Sequence, residues 1–175
     1  MKPEDYLQNV KEEYTLLRKQ AEKAMAQVTE ADFFAVIGEE GNSIAVIVKH
    51  LAGNLISRWT DFLTSDGEKP DRNRDSEFEA EDSDIREKLL QRWEKGWSLL
   101  FQTLDSLRME DLDRTIYIRC KAHKVYAAIH RNLTHTAGHV GQIFYLARHW
   151  AGPKWQSLSL PKGKSKDYNV QVRGK

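Results

Sequence analysis

The sequence predicts an all-α fold built on four long helices. Apolar residues recur every three or four positions through four separate stretches, and the only β-favouring run, Thr115 to Ile118, is short. The 175 residues, 40% of them hydrophobic, suit a single domain over 1–175 with a buried core.

The first helix is expected from about Pro3 to Val28, where Tyr6, Val10, Tyr14, Leu17, Ala21, Ala24 and Val28 share one face. Pro3 suits a first helical turn, and Lys11, Glu12, Arg18, Lys19 and Glu22 form a solvated opposite face. After a linker from Thr29 to Gly41, Asn42 or Ser43 can cap a second helix that runs to about Leu63. Its core direction is set by Ile44, Ile47, Val48, Leu51, Leu55 and Phe62. His50 falls about 120° from the centre of that stripe, on a shoulder beside Ile47 and Asn54.

Residues 64–82 are polar and turn-rich, which predicts a long loop between the second and third helices. Loops of this length are either functional or disordered, and Phe78 gives this one an apolar anchor. Ser83 or Asp84 opens the third helix, in which Ile85, Leu89, Trp93, Trp97, Leu100, Leu104 and Leu107 continue at helical spacing. Trp93 and Trp97 belong to that stripe and are read as core rather than as a stacking platform. A charged turn at Glu110 to Arg114 leads to the β-favouring Thr115, Ile116, Tyr117 and Ile118, a short extended segment or hairpin. The fourth helix covers roughly Lys124 to Trp150 and stops at Gly152-Pro153. Residues 152–175 are expected as an irregular C-terminal tail that packs in part on the bundle through Trp155 and Leu158. There is no internal repeat.

Charge and cysteine content exclude several classes. Lys plus Arg number 27 against 26 Asp plus Glu, so no net field draws the chain to nucleic acid or membrane, although Lys162, Lys164 and Lys166 form a basic cluster in the tail. Cys120 stands alone, which rules out an internal disulfide or a cysteine-based zinc site and fits a reducing compartment. No apolar segment follows Met1, and the longest apolar run, Ile44 to Val48, is far too short to span a bilayer. A cytoplasmic protein is expected.

The residues that carry chemistry are histidines. His135 and His139 stand at i and i+4 in the fourth helix, one turn apart on one face and close enough to share an ion. With Leu133 as reference, Tyr126, Ile129, Leu133, Ala137, Val140 and Phe144 gather within about 40° as the expected core face. The histidine pair lies on a second face with Ala128, Asn132, Ile143 and Leu146. His130 points to the far side, His123 precedes the helix, and His149 lies about 15 Å down the axis from His139. His50 is then the remaining histidine able to complete a three-imidazole site between facing helices. Position 136 is threonine, so the glutamate base of the zinc-peptidase motif is missing.

The helix-two segment Lys49-His50-Leu51-Ala52-Gly53-Asn54, taken with His135-x-x-x-His139-Val140-Gly141-Gln142-Ile143, resembles the DinB-like superfamily of four-helix metal-binding proteins. The loop from Gly67 to Glu79 and the tail from Trp155 to Ser165 are similar to one branch of it, catalogued as a domain of unknown function. The resemblance implies an up-down-down-up four-helix bundle, a homodimer, and a divalent ion, zinc or nickel foremost, on His50, His135 and His139. It also implies a metal-dependent transferase that uses a low-molecular-weight thiol and an electrophilic substrate; Arg72 or Arg74 on the long loop is a candidate, from its charge and place, to receive an anionic group of either. The alternative is a non-catalytic dimeric metalloprotein acting as a stress-related or partner-binding module. No catalytic side chain is assigned.

Overall fold

The computed structural model describes residues 3–81 and 83–174. Asp82, at the end of the expected loop, lies outside them. Four long helices form the molecule: α1 (Pro3–Met25), α3 (Ile44–Trp59), α4 (Arg86–Ser106) and α5 (Val125–Ala151), with two short helices, α2 (Glu30–Phe34) and α6 (Ser165–Arg173). An antiparallel hairpin of β1 (Thr115–Ile118) and β2 (Lys121–Lys124) precedes α5. No helix among the described residues is long and apolar enough to cross a membrane.

All four long helices supply one apolar core, in which α1 packs on α5 and α3 on both α4 and α5. Tyr14, Leu51, Leu55, Trp97, Leu100, Ile129 and Ile143 are fully buried there. Ser43 caps α3 by accepting the Val46 N–H, and α5 ends at Gly152, whose positive φ of 51° suits a residue without Cβ. Trp93 and Trp97 are buried, in keeping with a core stripe.

Several expectations need correction. The linker contains α2, started by Thr29 and Asp32, which form a capping box. Asp84 does not cap α4; its carboxylate takes Lys49 Nζ at 2.9 Å and the Glu81 N–H, and the helix begins after Ile85. The tail is not irregular throughout. Trp155 and Leu158 do pack against the core, Trp155 edge-on to Phe144, but residues 165–173 form α6, which is exposed along its whole length.

The core face of α5 is rotated about 80° from the apolar stripe toward the histidines. Tyr126 and Ala137 are exposed, whereas Asn132 and Thr136 are buried. Asn132 is accommodated because its bonds are made: its Oδ1 accepts from Tyr14 Oη and Trp59 Nε1, both at 3.0 Å, and its Nδ2 donates to Asn54 Oδ1 at 3.0 Å. This buried amide ties α1, α3 and α5 together one turn before His135.

Candidate metal centre

Helix α3 carries no polar shoulder. Every residue from Ile44 to Trp59 except Ile56 is buried, since α4, α5 and the turn of residues 75–78 all pack against α3. The described residues of the segment between α3 and α4 are tied down at several points. The Gly67 carbonyl accepts from Ser57 Oγ at 2.9 Å and from Arg58, and the Gly67 N–H reaches the Tyr117 carbonyl on β1 at 2.8 Å. Lys49, 5% exposed, clamps the far end through the Glu79 carbonyl, Glu81 and Asp84. A single 3-10 turn, Asp75–Phe78, lies over His50.

The anchor expected at Phe78 is present: its ring centroid lies 4.5 Å from that of His50, and the Arg74 guanidinium sits over the Phe78 ring, 5.0 Å from its centroid. Next to it, Glu77 is 2% exposed. Its carboxylate accepts the His50 Nδ1–H at 2.9 Å and is gripped by Arg72 through Nε at 2.8 Å and Nη2 at 2.7 Å. Burial alone would raise the Glu77 pKa, but the hydrogen bonds and charge of Arg72, with those of His50, outweigh it and hold the group below its usual value.

His50, His135 and His139 converge, with one ring nitrogen from each within 4.8 Å of the others. The Nε2 atoms of His50 and His135 are 3.3 Å apart. Two nitrogens each 2.0–2.1 Å from a tetrahedral ion stand about 3.3–3.4 Å apart, so the His50 and His135 pair is spaced as two ligands of one zinc-sized ion, with His139 in the same cluster. The ring partners select the same nitrogens. Glu77 takes the His50 Nδ1–H and Gln142 Oε1 takes that of His139 at 2.7 Å, which leaves both Nε2 lone pairs free. His135 Nδ1 is buried and has no hydrogen-bond partner among the described residues.

Proton affinity is suppressed here. Burial first, then the His139 and His50 rings and the charges of Arg58 and Arg72, push the His135 pKa down to about 3, and burial lowers that of His139. Neutral imidazole is the form that binds a metal. The excluded histidines do lie elsewhere: His123 in β2 opposite Ile116, His130 against Tyr6, and His149 against Trp150.

A cavity of about 200 Å³ opens beside His50 and His135, lined by side chains of α3, the loop, the hairpin turn and α5. Arg119 reaches it from a turn in which both Arg119 and Cys120 have positive φ, 54° and 60°. Such backbone costs about 1 kcal/mol or more per residue, offset here by Asp66, whose carboxylate accepts the Arg119 and Cys120 N–H groups at 2.8 and 2.7 Å.

Glu77 and Gln142 escaped the sequence reading. Glu77 lies 27 residues from His50 in a charged loop, and the available clue was Gly53, three residues after His50 on α3. A Cβ at Gly53 would overlap the Glu77 carboxylate. Gly53→Ala is therefore expected to lower unfolding free energy by about 1–3 kcal/mol as the carboxylate is pushed off its seat. Urea unfolding checks this, and an unchanged midpoint would mean that Glu77 has another resting place.

The family described as a protein of unknown function, DUF1572, matches residues 2–164. No curated protein and no solved structure matches the chain.

Proposed function

The chain belongs to the DUF1572 family, described as of unknown function, and we propose that it is a metal-dependent transferase in which His50, His135 and His139 hold a divalent ion that serves a low-molecular-weight thiol. The observation that carries this reading is the 3.3 Å separation of the His50 and His135 Nε2 atoms, with a third imidazole in the same cluster and no carboxylate among the three donors. Zinc and nickel both suit such a set. Held by three neutral imidazoles, an ion would keep its double charge and would supply acidity to a bound thiol or water.

The chain's own groups prepare that chemistry. Glu77 and Gln142 fix two rings with their Nε2 atoms inward, Arg72 fixes Glu77, and Phe78 shields the outer face of His50 from water. The reading extends to the DinB-like superfamily, an up-down-down-up arrangement of α1, α3, α4 and α5, a homodimer and a cytoplasmic location.

Elemental analysis and thiol-transfer assays test it together. Wild-type protein should hold about one zinc or nickel per chain and His135→Ala less than about a tenth of that, since two imidazoles seldom retain an ion. Metal-loaded wild type should transfer a small thiol to an electrophile at least about tenfold faster than the variant. Equal rates would remove the transferase reading. Cobalt-substituted protein whose spectrum ignores thiol, azide and citrate would leave the non-catalytic metalloprotein in its place.

A further inference from the structure

Five arginines wall the cavity beside the imidazoles: Arg58 from α3, Arg72 and Arg74 from the loop, Arg119 from the hairpin turn and Arg131 from α5. Glu77 and Glu68 pair with three of them, and Asp66 adds a third carboxylate at the hairpin turn. Glu77 takes Arg72, while Glu68 Oε2 is shared among Arg58 at 2.9 Å, Arg119 at 3.3 Å and Arg72 at 3.4 Å. Arg131 has no carboxylate within ion-pair distance among the described residues, and Arg74 has only Asp75, 4.0 Å away with its side chain 92% exposed. The wall therefore carries more positive charge than the chain returns.

Arginines that served only to fasten the loop would each end on a carboxylate or a carbonyl, as Arg58 and Arg72 do. Arg131 does neither among the described residues, and Arg74 meets only the exposed Asp75 at 4.0 Å and the Phe78 ring. Arg119 is held at the cavity by a turn in unfavourable backbone, which is the pattern of a side chain placed for a ligand. Guanidinium groups match the paired oxygens of carboxylate and phosphate, and about 200 Å³ admits a small metabolite and no polymer.

We propose that this cavity binds a small polyanion, a molecule carrying at least two carboxylate or phosphate charges, gripped by Arg74, Arg119 and Arg131 with its remaining end toward the three imidazoles. This names the substrate class of the proposed transferase and rests on that reading only for the direction in which the ligand points. The anionic grip belongs to the arginines alone.

Titration calorimetry at fixed ionic strength tests the proposal with zinc-loaded full-length protein, using succinate for a dicarboxylate, inorganic phosphate for a phosphate group, and acetate as the single-charge control. Succinate or phosphate should bind saturably and at least about tenfold tighter than acetate, and which of them wins identifies the source of the charge. Arg131→Gln and Arg74→Gln, both at exposed positions, should each weaken that binding about tenfold while zinc content stays unchanged. In His135→Ala the arginine-dependent binding should survive the loss of zinc, so the grip would stand even if the metal reading fell. The inference is overturned if neither anion binds, if the arginine variants bind as wild type does, or if binding disappears in His135→Ala but persists in both arginine variants.

Discussion

Glu77→Ala is expected to lower unfolding free energy by about 3 kcal/mol and zinc affinity by about 10–100-fold. The stability loss follows from Arg72, whose side chain is 5% exposed and would keep only Glu68 at 3.4 Å as a carboxylate partner. Removing one member of a buried ion pair costs more than the pair contributes, because the survivor's desolvation is no longer compensated. The affinity loss follows from His50, whose ring would lose the acceptor that fixes its Nδ1–H and aims Nε2 inward. Glu77→Gln keeps an acceptor for one partner and should fall between the two proteins. Denaturant unfolding and competitive zinc titration separate the effects. A full stability loss with zinc affinity unchanged within about twofold would deny Glu77 any part in holding the ligand ring.

Acid is expected to destabilise the metal-free protein from pH 6.5 downward, above the pH at which carboxylates protonate. His135 has a folded-state pKa of about 3, against an ordinary 6.5 in the unfolded chain. Between those values the unfolded state binds a proton that the folded state refuses, so stability is lost as pH falls from 6.5 toward 3. The loss from this group alone is about 1–2 kcal/mol between pH 6.5 and pH 5. His139, also lowered by burial, acts in the same direction. His135→Ala removes the largest contribution and should flatten the profile above pH 5. Thermal unfolding across pH with chelator present reads this directly, and a wild-type profile already flat between pH 5 and 6.5 would place the ring in a wetter setting than its burial implies.

Both predictions depend on a loop whose importance its composition concealed. Residues 64–82 read as a polar, turn-rich loop in which Arg72 or Arg74 stands out as a receiver of an anionic group and Phe78 as an anchor. In the folded chain Glu77, one residue earlier, orients His50, and Arg72 and Arg74 face the cavity. Charged residues in a loop look alike in sequence, whether solvated or buried in pairs, because hydropathy registers the residue and not its partner. The α5 face was misjudged for the same reason. Asn132 and Thr136 counted as polar and Tyr126 and Ala137 as apolar, but a buried amide is tolerated wherever Tyr14, Trp59 and Asn54 complete its bonds.

What the sequence determined by itself was local and periodic. The four long helices, the break at Gly152-Pro153 and the pairing of His135 with His139 all follow from 3.6 residues per turn, a property of the backbone that needs no knowledge of the rest of the chain. Even the choice of His50 came from helix faces and elimination, and the folded chain does bring the three rings together. Only the tertiary structure decided what surrounds them: a carboxylate 27 residues away that fixes one ring, and five guanidinium groups from four parts of the chain around one cavity. Those placements depend on long-range packing of a loop over α3 and of a hairpin against that loop, where the partners of each charge are set by distances in space that spacing along the chain does not encode.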